Sequence, residues 1–238
     1  MVSIAGSKKL KRQMAPQFWG IARKDKRFVV TVRSGPHKKS HAIPTAVFLR
    51  DTLKIVTSLR EAKAVIYSGK VKIDGVVRKS LHHGIGLMDV VELENVKDIY
   101  RMVPTEDKIL KPIKINESEK SKKIVSVKTK TTINKGKLQI GFSDGRSIIS
   151  DTKVNVGDTC VIQSPEVNIL EVIKLEVGCQ GLVTRGNNVG QIGSIEAIED
   201  GTFILPKRVI LTLEGRKIEI PADIIMPVGK GEPVIQLK

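Results

Sequence analysis

From about residue 106 onward, turn signals cut the chain into short apolar-polar segments. "KKIVSVKTK", "KLQIGFSDGRSIIS", "GDTCVIQS" and "NILEVIKLEV" read as strands, with Asp144-Gly145 and Val156-Gly157 among the turns that separate them. "NESEKSKK" (116–123) reads as a charged loop. Residues 179–220 continue the pattern through "GLVTRG", "GQIGSIEAI", "GTFILP" and "RVILTLEGRKIEI", five short strands with glycine turns, as expected of a small barrel. Only eight aromatics in 238 residues also favour several small β-rich or mixed modules over one large core.

The stretch before them has a different period. In "PTAVFLRDTLKI", Leu49, Leu53 and Val56 recur at i, i+4 and i+7 with Phe48 and Ile55 beside them, which predicts a helix with one core stripe. Arg50 and Lys54 sit one turn apart on another face. "SLREAKAVIYSG" predicts a second helix, with Ser58 and Glu61 at capping-box spacing and Gly69 closing it. Leu59, Ala62, Val65 and Ile66 share its apolar side, while Arg60, Lys63 and Tyr67 fall on a separate arc. In "IYSGKVKIDGVVRKS", Asp74-Gly75 predicts a two-residue type I′ turn. Val71 and Ile73 then face one way, Lys70 and Lys72 the other. "LMDVVELEN" follows as another alternating strand.

Charge is polar along the chain. The formal charge is +16, and residues 1–40 alone carry Lys8, Lys9, Lys11, Arg12, Arg23, Lys24, Lys26, Arg27, Arg33, Lys38 and Lys39 against the single acid Asp25. Residues 41–80 hold eight cations and three acids, and residues 180–238 hold seven of each. This gradient predicts an anionic partner gripped mainly by the first third. A membrane surface would call for an amphipathic helix with a broad apolar face, or a lipidation signal, so nucleic acid is the expected partner. Glycines and prolines break the leader, whose bland reading is a solvated tail. Phe18 and Trp19 in "QFWG" instead suit a segment that orders on a partner, stacking on bases or packing on the neighbouring domain. No apolar run reaches the ~20 residues of a membrane span, and no signal-peptide core opens the chain, so a cytoplasmic protein is expected.

Catalytic and metal chemistry find no support in the residue pattern. His37 and His41 have HxxxH spacing in a Pro/Gly-flanked segment, without a glutamate between them or a cysteine pair to complete a zinc site. No metal or cofactor is expected, and His37 is grouped with the leader's RNA-facing residues. Cys160 and Cys179 stand alone and read as buried thiols. "GNNVGQIG" lacks the Lys-Ser/Thr ending of a phosphate loop.

The order helix, capped helix, Gly, Asp-Gly hairpin and "MDVVEL" strand resembles the RNA-binding module named after the fourth small-subunit ribosomal protein. The residues that carry the likeness are "LREAKAVIYSGKVKIDGVVRKS…LMDVVEL" (59–93). It implies an RNA-facing surface of Arg60, Lys63, Lys70 and Lys72, with Arg78 and Lys79 at its edge. One residue departs from the pattern: Met88 precedes Asp89 where such modules commonly have glycine. "CQGLVTRGNNVGQIGSIEAI" (179–198) resembles a KOW motif, which places Arg185, Asn187 and Asn188 at a loop tip as plausible contacts. Its glycines allow a tight loop whose amides can approach phosphate or protein backbone.

Collinear with these run "KKLKRQMAPQFW", "SGPHKKSHAIPTAVFLRDTLKI", "DGRSI" and "PVGKGEPVIQL". Together they resemble the S-four-e family of small-subunit ribosomal proteins, in a compact form closer to the archaeal members. The resemblance implies an α+β multi-domain chain: a basic N-terminal extension (1–40), the RNA-binding module (41–105), a central β domain (106–175) and a KOW-type SH3-like barrel with its tail (176–238). It also implies a structural, non-catalytic role bound to small-subunit rRNA and neighbouring ribosomal proteins, without self-association. Two other readings compete. An RNA-modifying enzyme of the pseudouridine synthase type would need a catalytic aspartate that "DGRSI" lacks. A KOW-containing elongation or regulatory factor would leave the leader and the module idle.

Overall fold

A computed structural model describes residues 9–106, 108–133, 136–213 and 215–237. The architecture is mixed, with little helix and three five-stranded sheets whose pairings are antiparallel.

The leader is packed over its described length. Leu10–Lys11 pairs with Phe28–Val29, and between them lie the 3-10 turns Arg12–Met14 and Gln17–Trp19. Leu10, Ala15, Trp19 and Val32 are buried in one core with Phe48, Leu49, Ala62 and Ile66 of the following module. The composition alone favoured a chain that waits for RNA. Scarce aromatic surface is used instead to join the leader to its neighbour.

The first predicted helix is shorter than its apolar pattern. One α-turn, Thr45–Val47, continues as the π-helical turn Phe48–Thr52, closed by Leu53 N–H donating to Phe48 O and Ile55 N–H to Leu49 O. Lys54 then adopts φ 56°, the left-handed conformation that ends helices. Ile55 lies past the end and is exposed, so it is no part of the core stripe. The second helix, Leu59–Tyr67, is capped as expected: Ser58 Oγ accepts from Glu61 N–H at 3.2 Å, and the Glu61 carboxylate accepts from Thr57 N–H. Ala62 and Ile66 are buried, but Leu59 is exposed at its first position.

The first sheet runs Val76–Val77, Val71–Ile73, Val90–Leu93, Ile99–Thr105, Lys108–Ile115 in spatial order. The boundary expected at 105/106 therefore falls inside a strand pair, with Ile99 opposite Ile115. The middle sheet is ordered Ser147–Ile149, Leu138–Phe142, Lys122–Thr132, Thr159–Gln163, Asn168–Ile173. The third is ordered Arg216–Pro221, Arg208–Leu213, Ile192–Glu199, Cys179–Val183, Ile225–Lys230. "GTFILP" is not one of its strands: Phe203 and Ile204 are almost wholly exposed in a loop closed by Thr202 and Leu205.

The sheets share apolar ground. Val103 from the first, Ile124 and Val161 from the middle, and Leu182 and Met226 from the third are buried in one cluster with Met88, from the turn before Val90–Leu93, and with Ile235 and Leu237. Met88 explains why glycine is common at its position, because its φ is 61°. A left-handed conformation costs an L-residue about 1–2 kcal/mol, which burial of the Met88 side chain offsets here.

Candidate RNA-binding surface

The Asp74-Gly75 turn has φ 51° and 73°, the two positive values of a type I′ hairpin. It does not project into solvent. Asp74 is buried; its Oδ1 accepts from Val90 N–H at 3.0 Å, and its carbonyl accepts from Ser164 Oγ at 2.7 Å. A Cβ on Gly75 would stand 3.2 Å from Pro165. The hairpin tip is thus docked on the middle sheet.

At that junction lies a buried charge cluster. Lys123 Nζ donates to Asp74 Oδ2 at 2.7 Å and to Asp89 Oδ1 at 2.6 Å, and stands 3.3 Å from Asp144 Oδ2. Arg146 Nη2 also donates to Asp74 Oδ2, at 2.7 Å. "NESEKSKK" therefore ends in a strand residue sealed from water, because Lys123 is the second residue of Lys122–Thr132. Burial opposes the charge on Lys123, but Asp89, Asp74 and Asp144 outweigh it and hold the ammonium above the ordinary lysine range. Burial likewise works against the Asp89 carboxylate, yet Lys123 and His37 pull it well below the usual range. Asp74 is pushed up, by burial first, with the Asp89 charge adding to it.

Three of the expected RNA contacts are structural. His37 Nε2 bonds Asp89 at 2.9 Å, and its ring covers Gly86, where any Cβ would lie 2.3 Å from it. Trp19 is 1% exposed and its Nε1 donates to Ala42 O at 2.9 Å, so it cannot stack on a base. Arg12 is buried, donating to Ala22 O and pairing with Asp25 at 3.4 Å. Arg50 is also engaged within the protein, in a two-pronged contact with Asp51.

The other leader cations remain outside. Lys9, Lys11, Arg23, Lys24, Lys26, Arg27, Arg33, Lys38 and Lys39 are all exposed, as is Lys54; Lys8 lies outside the described residues. Phe28 is the aromatic that the charge run presents. It is 43% exposed, with Arg27 and Lys9 over its ring at 5.2 and 5.8 Å. The sequence held only part of that signal, because Phe28 is next to Arg27 in the chain while Lys9 reaches its ring through the pairing of Leu10–Lys11 with Phe28–Val29.

On the module, Arg60, Lys63 and Tyr67 are exposed on one helix arc, with Lys63 5.5 Å from the Tyr67 ring centre. Lys79 reaches back along the helix end, where a Cβ on Gly69 would meet its Cε at 3.3 Å. Lys70 and Arg78 are half-buried and Lys72 is exposed. Lys72 lies opposite Glu92, whose carboxylate pairs with Lys120 at 2.7 Å. Among the described residues, Arg60, Lys63, Lys70, Lys72 and Lys79 form no ion pair.

The glycine-rich loop contacts protein as well as solvent. A Cβ on Gly190 would lie 2.6 Å from the Thr105 backbone, and Gln191 donates to Glu106 at 3.1 Å. Asn187 is exposed, while Asn188 and Arg185 are half-buried. Arg185 lies near Lys38 and His41, and with them lines a cavity of ≈ 430 Å³.

A leader of exposed cations, a helix-and-hairpin module with a cationic arc, and two further antiparallel sheets fit a class: multi-part nucleic-acid-binding proteins. The comparisons with known proteins agree. The ribosomal family S4e profile matches residues 96–169, and the RS4NT (NUC023) domain matches residues 5–40. The small ribosomal subunit protein eS4 of Staphylothermus marinus is 36% identical over 249 residues, covering 100% of this chain and 98% of the relative. That of Methanothermobacter thermautotrophicus is 36% identical over 238 residues with the same coverage, and that of Pyrobaculum islandicum is 38% identical, covering 96% of this chain and 98% of the relative. The crystal structure of the 30S ribosomal protein S4e from Thermoplasma acidophilum superposes with TM-score 0.69 at 29% identity, over 80% of this chain and 96% of that one. The chain belongs to the small ribosomal subunit protein eS4 family.

Proposed function

We propose that the protein is a structural constituent of the small ribosomal subunit, holding rRNA through the exposed cations of its leader and module. The observation that carries the mechanism is the separation of roles in the leader. Arg12, Trp19 and His37 anchor it to the fold, while nine other cations stay exposed, two of them over the Phe28 ring. Those cations supply phosphate neutralisation. The arc of Arg60, Lys63, Lys70, Lys72 and Lys79 orients the RNA, with Arg78 at its edge, and Arg185, Asn187 and Asn188 add contacts from the third sheet. That sheet is read as a KOW-type SH3-like barrel that positions RNA against neighbouring ribosomal proteins rather than gripping it, given its neutral charge. No helix among the described residues is long and apolar enough to cross a membrane. The ribosome in the cytoplasm is the expected location, and no self-association is expected. The reading as an elongation factor finds no support, because the likeness to ribosomal proteins runs through the whole chain.

The test is the salt dependence of rRNA binding. Each phosphate neutralised contributes about −0.7 to −0.9 to the slope of log affinity against log salt. Deleting residues 1–40 would remove core residues, so the informative variant replaces only exposed leader cations: Lys24→Gln, Lys26→Gln and Arg27→Gln together. The slope should flatten with the melting temperature unchanged. An unaltered slope would remove the leader from its role as main grip.

A further inference from the structure

The cavity of ≈ 430 Å³ lies where the leader, the middle sheet and the third sheet meet. Its size falls within the range of about 300–1,000 Å³ typical of small-ligand sites. Its charge is unbalanced: Lys38, Lys128 and Arg185 line it, with Asp223 as the one lining carboxylate. Lys128 bonds Asp223 directly, and Arg185 and Lys38 also act on that carboxylate, so two positive charges are left over. Phe142, Leu87, Ile109 and Met226 form an apolar side. His41 Nδ1 is buried without a hydrogen-bond partner among the described residues. Burial, then Arg185 and Lys38, lower the His41 pKa, as expected of an imidazole in a cationic setting.

The segment that carries Lys38 and His41 is fixed from behind. His37 is held by Asp89 within the buried cluster, and Pro36 packs on Gly145, where an added Cβ would lie 3.5 Å from it. A site with two uncompensated cations and an apolar wall fits an anion attached to a flat, apolar-faced body.

We infer that this cavity accepts one nucleotide unit, its phosphate between Lys38 and Arg185 and its base against the apolar side. The unit is either an extruded nucleotide of bound RNA or a free nucleotide. The inference rests on the RNA-binding reading in its first form and is independent of it in the second. RNA is favoured over an acidic peptide because the cavity continues the exposed Lys38–Lys39 edge of the leader, and because a carboxylate side chain would leave the apolar wall unused.

The experiment uses the full chain with ¹³C-methyl methionine and follows the Met226 methyl signal. The four 5′-nucleoside monophosphates, inorganic phosphate and a poly-glutamate peptide are added separately. In parallel, small-subunit rRNA is probed with base-specific reagents in complex with the wild type, Arg185→Gln and Ser143→Phe, the last filling the cavity from an exposed position. Nucleotides should move Met226 at concentrations about tenfold or more below those at which phosphate does, and Arg185→Gln should weaken this about tenfold or more. In the RNA arm, one or more unpaired bases protected by the wild type should become reactive with both variants. Movement of Met226 without differential protection assigns the site to free nucleotides; protection assigns it to RNA. No response in either arm, or poly-glutamate matching the nucleotides, overturns the inference. If the wild type binds rRNA tightly but all three proteins give one footprint and no nucleotide moves Met226, the RNA-binding reading stands and the cavity assignment falls.

Discussion

Lys123 Nζ lies 2.7 Å from Asp74 Oδ2, joining the first strand of the middle sheet to the tip of the module's hairpin, with both side chains at most 5% exposed. The pair converts a surface turn into a joint between two parts of the chain. Removing one partner of a buried ion pair typically costs about 3–5 kcal/mol, because the remaining charge is left without compensation. Lys123→Met should therefore destabilise by that amount in urea unfolding, since three carboxylates lose their shared ammonium. Lys123→Met combined with Asp74→Asn should cost less than the two single changes summed. Strict additivity would show that the two residues act separately.

At Met88, strain and burial oppose each other. Met88→Gly relieves the left-handed backbone but empties a fully buried site in the cluster shared by the three sheets. Large-to-small core changes cost about 2–5 kcal/mol, and the strain returned is about 1–2 kcal/mol. The net expectation is a loss of about 0–4 kcal/mol, measured by thermal or urea unfolding. A Met88→Gly protein more stable than the wild type would mean that the shared core is looser than its burial implies.

What was legible in the sequence was governed by local rules. The Ser58 cap, the Gly69 stop and the Asp74-Gly75 turn depend on residues within a few positions, and each forms as read. The end of the first helix was not legible, because Ile55 and Val56 prolong the apolar period after Lys54 has already turned the backbone. The buried cluster was hidden for a different reason. Asp74, Asp89, Lys123 and the Asp144/Arg146 pair come from separate segments of the chain, and each resembles an ordinary surface charge until the sheets bring them together. Trp19 was ambiguous from the start, since an aromatic among cations can serve either a base or a core.

Two histidines should give the fold a pH dependence. Burial, with Arg78 adding to it at His83 and Arg185 at His41, holds both below the ordinary 6.5. The unfolded chain then binds protons first, so this stability is present above pH 6.5 and is lost as pH falls towards the folded values. The raised Asp74 carboxyl works in the opposite sense, because the folded state takes up its proton first. The contributions can be separated by variant: His83→Asn should reduce the drop in urea midpoint between pH 7.5 and 5.5. An identical drop in the variant would assign the dependence elsewhere.

Trp19 and Phe28 lie nine positions apart in the same basic leader, yet they should respond oppositely. Trp19 is sealed in the core and bonded to Ala42, so Trp19→Ala should cost about 3–5 kcal/mol of stability, as large aromatic truncations do. Phe28 is exposed between Arg27 and Lys9, so Phe28→Ala should leave the unfolding midpoint nearly unchanged. If Phe28 stacks on a base, its loss should weaken rRNA binding by about 1–3 kcal/mol, roughly 5- to 150-fold in affinity. Anisotropy titrations at fixed salt measure this directly. Equal affinity for Phe28→Ala and wild type would leave the leader a purely electrostatic grip, in which the ring only holds Arg27 and Lys9 in place.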